Sequence, residues 1–193
     1  MAFKADVLQA TNALKSGGLV AYPTDTVWGL LALLEDNAAC QHIYTIKGRE
    51  PGKPLQVLVC DLEAALALTE PQYHGKLRLV AKLWPGPLTM VVPGRGIPPW
   101  ISPDGTVGLR VPADPVLCQL IRDLGGHVAA TSLNKSGEPP VQTLAEALDF
   151  DPEIAVVAGS DPPGTASTVV DLVRGQVVRE GAISGNQVLG LWH

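Results

Sequence analysis

A chain of 193 residues, 46% hydrophobic and 17% charged, with 20 Gly and 17 Pro, is long enough for one full core and too apolar for a disordered chain. Its net charge of −5 argues against a broad nucleic-acid face of excess Lys and Arg, and Cys40, Cys60 and Cys118 are too scattered for a disulfide framework or a C-x-x-C metal site, so each is expected as a small buried residue. No apolar run reaches the roughly 20 residues that cross a bilayer, and MAFKADVLQA lacks the apolar segment of a signal peptide, so the expectation is a cytoplasmic chain with no membrane partner.

Asp6 is placed to cap a helix in which Val7, Ala10 and Leu14 recur at helical spacing, with Gly17-Gly18 as its stop. Leu19 to Tyr22 follows as an apolar strand, and Pro23, with no N–H for a ladder, marks its end. The polar turn TDTVWG, carrying Thr24, Asp25 and Thr26, leads to a helix capped by Asn37 and running to about Ile46, with Cys40, Ile43 and Tyr44 facing inward. Lys47 emerges at its C-terminal end, where a cation suits the helix dipole. The loop KGREPGKPL then holds Lys47, Arg49 and Lys53 among Gly48, Pro51, Gly52 and Pro54, which exclude regular structure. Three cations on one short loop invite a polyphosphate.

Leu55 to Cys60 reads as a buried strand, followed by the helical LEAALAL and a second helix ending at Trp84-Pro85-Gly86-Pro87. Leu88 to Val92 is the next strand, and Gly94 to Gly105, rich in Gly and Pro, is the expected mobile segment. Val107 to Val111 is strand-like and carries Arg110. Asp114-Pro115 opens a helix with Val116, Leu117, Leu120 and Ile121 on one face, closed by Gly125-Gly126. His127 to Thr131 is a strand that runs into the polar loop SLNKSGEPP. Thr143-x-x-Glu146 is a capping box, Ile154 to Ala158 a buried strand, and STVVDLV with QVVRE a hairpin joined at Arg174-Gly175. Early strand–helix alternation and a terminal hairpin predict one α/β domain over residues 1–193, a twisted mixed parallel and antiparallel sheet with flanking helices.

Polar clusters recur where strands end: Thr24 to Thr26, Thr106 with Arg110, Ser132 with Asn134 and Lys135, Ser167-Thr168, and Arg179. Ligands of open α/β sheets bind beyond strand ends, so these loops are candidates to converge on one pocket. Singly, such residues are as well explained by solvated loop charges and local backbone hydrogen bonds. Arg110 stands apart, because a charge inside the apolar VGLRVP needs an anionic partner. There is no G-x-x-x-x-G-K-[ST] loop, no His/Asp/Glu spacing for a metal, and His42, His74, His127 and His193 are scattered. A cation-rich pocket without an obvious base points to catalysis by charge and positioning.

The motifs AYPTDTVWGL, KGREPGKPL, LWPGPLTMVV, VGLRVP, ATSLNKSG, STVVDL and VVREGAIS, in this order over nearly the whole chain, resemble those of the YrdC-like threonylcarbamoyl-AMP synthases. The resemblance implies a sheet enclosing a basic cavity, and condensation of L-threonine, bicarbonate and ATP, with Mg2+ accompanying the ATP, to threonylcarbamoyl-AMP and pyrophosphate. A downstream threonylcarbamoyl transferase complex would place the group on tRNA adenosine next to the anticodon. Carried over by position, Thr26, Arg110, Ser132 and Ser167 resemble threonine contacts, and Lys47, Arg49, Lys53, Thr106, Asn134 and Arg179 the ATP set, with Lys47, Arg49 and Lys53 acting electrostatically and no protein nucleophile. Leu58 stands about where many members have histidine, Leu133 where the S-x-N triplet has alanine, and Glu180 where proline is common. The chain ends soon after its last motif, which implies that the C-terminal domain of longer relatives is missing. The other reading is a tRNA- or double-stranded-RNA-binding module that uses the same basic concavity, against which the acidic net charge counts.

Overall fold

Capping chemistry sets the helix starts. In the computed structural model, which describes residues 3–50 and 52–191, Asp6 and Gln9 form a reciprocal capping box at the start of α1 (Val7–Lys15), and Thr143 with Glu146 does the same for α6 (Leu144–Phe150). Asp114 accepts from two backbone N–H groups ahead of Pro115 at the start of α5 (Pro115–Asp123). The cap of α2 (Asn37–Lys47) is Asp36, which accepts from Ala39 N, and not Asn37; the neighbouring residue satisfies the same orphan donor one step earlier. The remaining helices are α3 (Leu62–Ala67), α4 (His74–Val80) and α7 (Gly185–Leu189), the last absent from the sequence reading. Pro51 and His193, singled out in the sequence, lie outside the described residues.

Among the described residues, ten strands form one sheet: β1 (Phe3–Ala5), β2 (Val20–Pro23), β3 (Trp28–Ala32), β4 (Gln56–Val59), β5 (Leu88–Pro93), β6 (Thr106–Arg110), β7 (His127–Ser132), β8 (Ala155–Val157), β9 (Thr168–Asp171) and β10 (Gln176–Arg179). Their order is β1-β8-β2-β3-β7-β4-β6-β5-β9-β10. The sheet is mixed: β1/β8, β2/β8, β4/β6 and β5/β9 are parallel and the other neighbours antiparallel. β3 corrects the sequence reading, in which Trp28 and Gly29 belonged to a polar turn. All five of its residues are buried, so its pattern is a continuous apolar run without the alternation that betrays a half-buried strand.

The period-2 geometry of the strands splits the core. One face carries Ala21, Leu30, Val57, Met90, Leu109 and Val170 along the whole sheet, packed under α2, α3, α4, α6 and α7. The opposite face changes character along its length. From β8 to β4 it presents Ala155, Val20, Leu31, Val128 and Leu58, covered by Leu14 of α1 and Leu117, Leu120 and Ile121 of α5. From β4 through β6, β5 and β9 the same face presents Gln56, Arg110, Gly108, Thr106, Thr89 and Val169, which line an open cavity.

The segment Gly94 to Gly105, expected to be mobile, is anchored instead. Gly94 N–H donates to Gly105 O (2.8 Å), the Trp100 indole donates to Leu34 O (3.1 Å), and Ile101 is fully buried. Cys40 and Cys60 are buried as expected, whereas Cys118 is half-buried at a groove beside Trp84. Burial, with Asp36 and Glu35 nearby, pushes the Cys40 thiol up to about 12.

Candidate functional site

The cavity has a volume of about 630 Å³, within the range of small-molecule sites. Its floor is the uncovered stretch of sheet, and its walls come from five chain segments far apart in sequence: the turn after β2, the loop after α2, the loop after β7, the loop before β9, and the end of β10. Gly108 keeps the floor low, since a Cβ there would meet only the Thr89 methyl at 3.2 Å and would otherwise project into the cavity.

Arg110 closes β6 at the border between the covered and the open stretch, register-paired with Leu58 of β4. It is 4% exposed. Its Nε donates to Gly86 O (3.1 Å), Nη1 to Thr26 Oγ1 (2.7 Å) and Nη2 to Asp25 Oδ1. Asp25 is thus the anionic partner the sequence reading left to a ligand; it lies 85 positions away in the chain, beyond the reach of local pattern. Burial lowers the Arg110 pKa and the Asp25 charge opposes that shift, so the guanidinium keeps its charge. Three bonds in three directions fix its plane. The planar fork carries five N–H donors, so two remain without a protein partner among the described residues.

Thr26 is held as firmly. Thr24 Oγ donates its proton to Val27 O (2.7 Å), so the Thr26 hydroxyl, 3.0 Å away, is the donor to Thr24 Oγ while it accepts from Arg110. Ser167 is buried, with its Oγ 2.8 Å from Thr89 Oγ, which in turn accepts from Gln56 Nε2 (3.0 Å). The tail crosses here at Gly181, where a Cβ would sit 2.4 Å from Ala166 O and 2.6 Å from Ser167 O. Only glycine permits that approach.

Arg179 lies at a bulge. Val177 pairs with Val170 and Arg179 with Val169, leaving Val178 unpaired, so the arginine takes the register beside Val169 that Val178 would otherwise hold, and both residues border the cavity. Its Nη2 donates to Ser167 O (2.8 Å) and Ser167 Oγ (3.3 Å). Arg49, on the loop after α2, donates to Pro54 O (3.1 Å) and lies 5.9 Å from the Tyr44 ring centroid. Thr106 stands at the far rim, bound through its N–H and hydroxyl to Asp104, whose carboxyl these donors hold below its ordinary value.

Of the residues singled out from sequence, Thr26, Arg49, Thr106, Arg110, Ser132, Asn134, Ser167 and Arg179 line this one cavity. Three cations expected to converge on it do not. Lys47 is 3% exposed and its ammonium donates to Ser132 O (2.5 Å), Asn134 O (2.8 Å) and Asn134 Oδ1 (2.8 Å). Lys135 donates to Ile46 O (2.6 Å), and Lys53 is exposed beside the lining residue Pro54, with its carbonyl accepting from Tyr44 Oη. Leu58 lies in the apolar stretch under α5, so the position where many YrdC-like proteins have histidine here belongs to the core. Sequence reading misses Gln56, Thr89 and Gly86, and it offers Asp25 to a ligand where the fold pairs it with Arg110. Thr89 and Gln56 had a signal, since polar side chains interrupt the runs LTMVV and LQVLVC.

Comparison with known proteins agrees with this geometry. The Sua5/YciO/YrdC family model, described as telomere recombination, matches residues 12–181. A threonylcarbamoyl-AMP synthase of Chromohalobacter salexigens is 34% identical over 180 residues, covering 90% of this chain and 96% of its own length. That of Bacillus subtilis is 35% identical over 192 residues, and the match covers 94% of this chain but 55% of the relative, so the chain spans about half the length of the longer relatives. The crystal structure of Pyrococcus abyssi Sua5 complexed with L-threonine superposes with a TM-score of 0.87 at 28% identity, over 99% of this chain and 59% of that one. With most of its length matched by the family model and by these relatives, the chain belongs to the Sua5/YciO/YrdC family.

Proposed function

We propose that this chain is a threonylcarbamoyl-AMP synthase, condensing L-threonine, bicarbonate and ATP to threonylcarbamoyl-AMP and pyrophosphate. The observation that carries the reading is Arg110: a buried, oriented guanidinium with two free N–H groups beside an open, hydroxyl-lined cavity is built for a small carboxylate. Relatives of this name support it, as does the threonine complex of Pyrococcus abyssi Sua5.

In this reading the threonine carboxylate docks on Arg110, with Thr26, Ser132 and Ser167 around the amino acid. Arg49 and Arg179 contact phosphates, Thr106 and Asn134 complete the nucleotide set, and Lys53, exposed beside Pro54 outside the free cavity, swings toward the phosphates when ATP binds. Bicarbonate takes up a proton and loses water to give carbon dioxide, and the amine of threonine adds to it, forming a C–N bond and releasing a proton. An oxygen of the resulting carbamate attacks the α-phosphorus, and the P–O bond to pyrophosphate breaks. Negative charge grows on the departing pyrophosphate, and the fixed guanidinium groups of Arg49 and Arg179 stabilise it. Holding the labile carbamate against its target supplies the remainder through proximity.

Magnesium is proposed to arrive with ATP. Glu138 is the one carboxylate among the lining residues, and among the described residues no group of three or more His, Cys, Asp or Glu side chains could hold a metal ion. Among the described residues, then, the oxygen ligands of the ion would come mainly from ATP and water. The product is a mixed anhydride, so an acyl transferase that delivers it to tRNA belongs to the same proposal.

Pyrophosphate release, measured with threonine, bicarbonate and ATP omitted in turn, tests this. Release should require all three, and release indifferent to threonine would refute the reading.

A further inference from the structure

We propose that Lys47 is a positioning residue that clamps the Ser132–Glu138 loop onto the end of α2, so that Ser132 and Asn134 face the cavity, and is not itself a phosphate ligand. This rests on the threonine and ATP reading of the cavity for its functional meaning, though the clamp itself is a property of the free protein.

A lysine that binds phosphate presents its ammonium to the ligand. That of Lys47 has three hydrogens, and three acceptors sit at 2.5 to 2.8 Å, two of them on Asn134 and the third the carbonyl of Ser132. The consequences spread from there. Asn134 Oδ1 also accepts from Ser132 Oγ (2.6 Å), and with its oxygen so held the amide turns its Nδ2 toward Lys135 O (2.9 Å) and Glu138 O (2.7 Å). Two of the three cavity-lining residues of the loop, Ser132 and Asn134, therefore take their side-chain orientation from one buried ammonium, and Glu138 is the third. Two further bonds close the same seam: Ser136 N–H donates to Lys47 O (2.8 Å) and Lys135 Nζ to Ile46 O (2.6 Å), satisfying carbonyls that the end of α2 leaves orphaned.

The clamp is titratable. Burial, reinforced by the like charges of Arg49 and Lys135, pushes the Lys47 ammonium down to about 8, against the pull of its three acceptors; among the described residues no carboxylate forms an ion pair with it. Releasing the loop returns the ammonium to water, where it holds its proton more tightly, so the closed loop is favoured as pH rises from about 8 toward 10.5. Global stability follows the same sign. Between about 8 and 10.5 the unfolded chain holds this proton more tightly than the folded one, so the Lys47 contribution to stability rises with pH there.

Amide exchange of the free wild-type protein at about pH 7 and about pH 9.5, corrected for the intrinsic rate, should show residues 132–138 gaining protection at the higher pH, a gain that Lys47→Met abolishes. Lys47→Met should weaken threonine and ATP binding together, each by about tenfold or more, because Ser132 and Asn134 both lose their anchor. Lys47→Arg should restore part of both affinities and remove the pH dependence of exchange in the loop. Exchange in the loop that ignores both pH and Lys47→Met would overturn the clamp. So would a Lys47→Met variant that loses ATP affinity alone, which marks a direct phosphate contact. Should wild type bind neither ligand, the functional reading fails while the exchange data still decide the clamp. Should Lys47→Met not fold, the wild-type pH comparison decides it.

Discussion

One face of a single sheet is used in two ways, and the border runs between Leu58 and Arg110, neighbours in register on β4 and β6. On the Leu58 side the inward positions are Val20, Leu31, Val128 and Leu58, and α1 and α5 lie on them. On the Arg110 side the equivalent positions are Gln56, Thr89, Thr106 and Gly108, and a cavity lies above them. The backbone is the same kind of ladder in both. The apolar half contributes stability by excluding water; in the polar half each side chain is held by another, as in the Gln56–Thr89–Ser167–Arg179 series, so the surface is ordered before any ligand arrives.

If the halves have separate duties, substitutions should separate stability from affinity, and Arg110, at the border, should disturb both. Arg110→Ala leaves Asp25 buried without its partner, so we expect a loss of about 3 to 5 kcal/mol in chemical denaturation together with loss of threonine binding. Leu120→Ala, in the covered half, should cost about 2 to 5 kcal/mol of stability with ligand affinities in the folded protein unchanged. Arg49→Ala, in the open half, should do the reverse. Calorimetric titration should show ATP binding weakened by about 1.5 to 3 kcal/mol, with threonine binding retained and stability within about 0.5 kcal/mol of wild type. Equal loss of both ligands would assign Arg49 to the architecture of its loop. RNA sharpens the same contrast: duplex binding should be weak, fall steeply with salt and yield to ATP, since the guanidinium groups face a small cavity. Filter binding that persists at high salt and ignores ATP would place RNA on another surface.

The smallest expected effect is at the rim. The Asp104 carboxylate, held below its ordinary pKa by Thr106 N–H and the hydroxyls of Ser102 and Thr106, contributes its bonds fully above the unfolded carboxylate value, and these are lost as pH falls through the lower folded value. Exchange in residues 102–106 should therefore rise below about pH 4 in wild type and be raised already at neutral pH in Asp104→Ala.

The covered half was the more legible in sequence, because helix caps and apolar spacing are local signals: Asp6 and Asp114-Pro115 stand where they were expected, as does the Thr143/Glu146 box on the other face of the sheet. β3 was not legible, since a fully buried strand has no alternation. In the open half, the polar residues at strand ends could be picked out but their connections could not. That Arg110 meets Asp25, that Arg179 borders the cavity at a bulge, and that Lys47 faces carbonyls two residues from an Arg49 that faces the cavity all depend on contacts between distant segments. Neighbouring cations on one loop look alike in sequence and differ in the fold because successive residues point different ways.

The central claim is that the uncovered stretch of this face holds both substrates. A crystal structure of the chain with L-threonine and a non-hydrolysable ATP analogue tests it most directly. The account predicts the amino-acid carboxylate within hydrogen-bonding distance of Arg110 and the phosphates against Arg49 and Arg179. Threonine density away from Arg110, or nucleotide in the groove between Trp84 and Arg122, would contradict it.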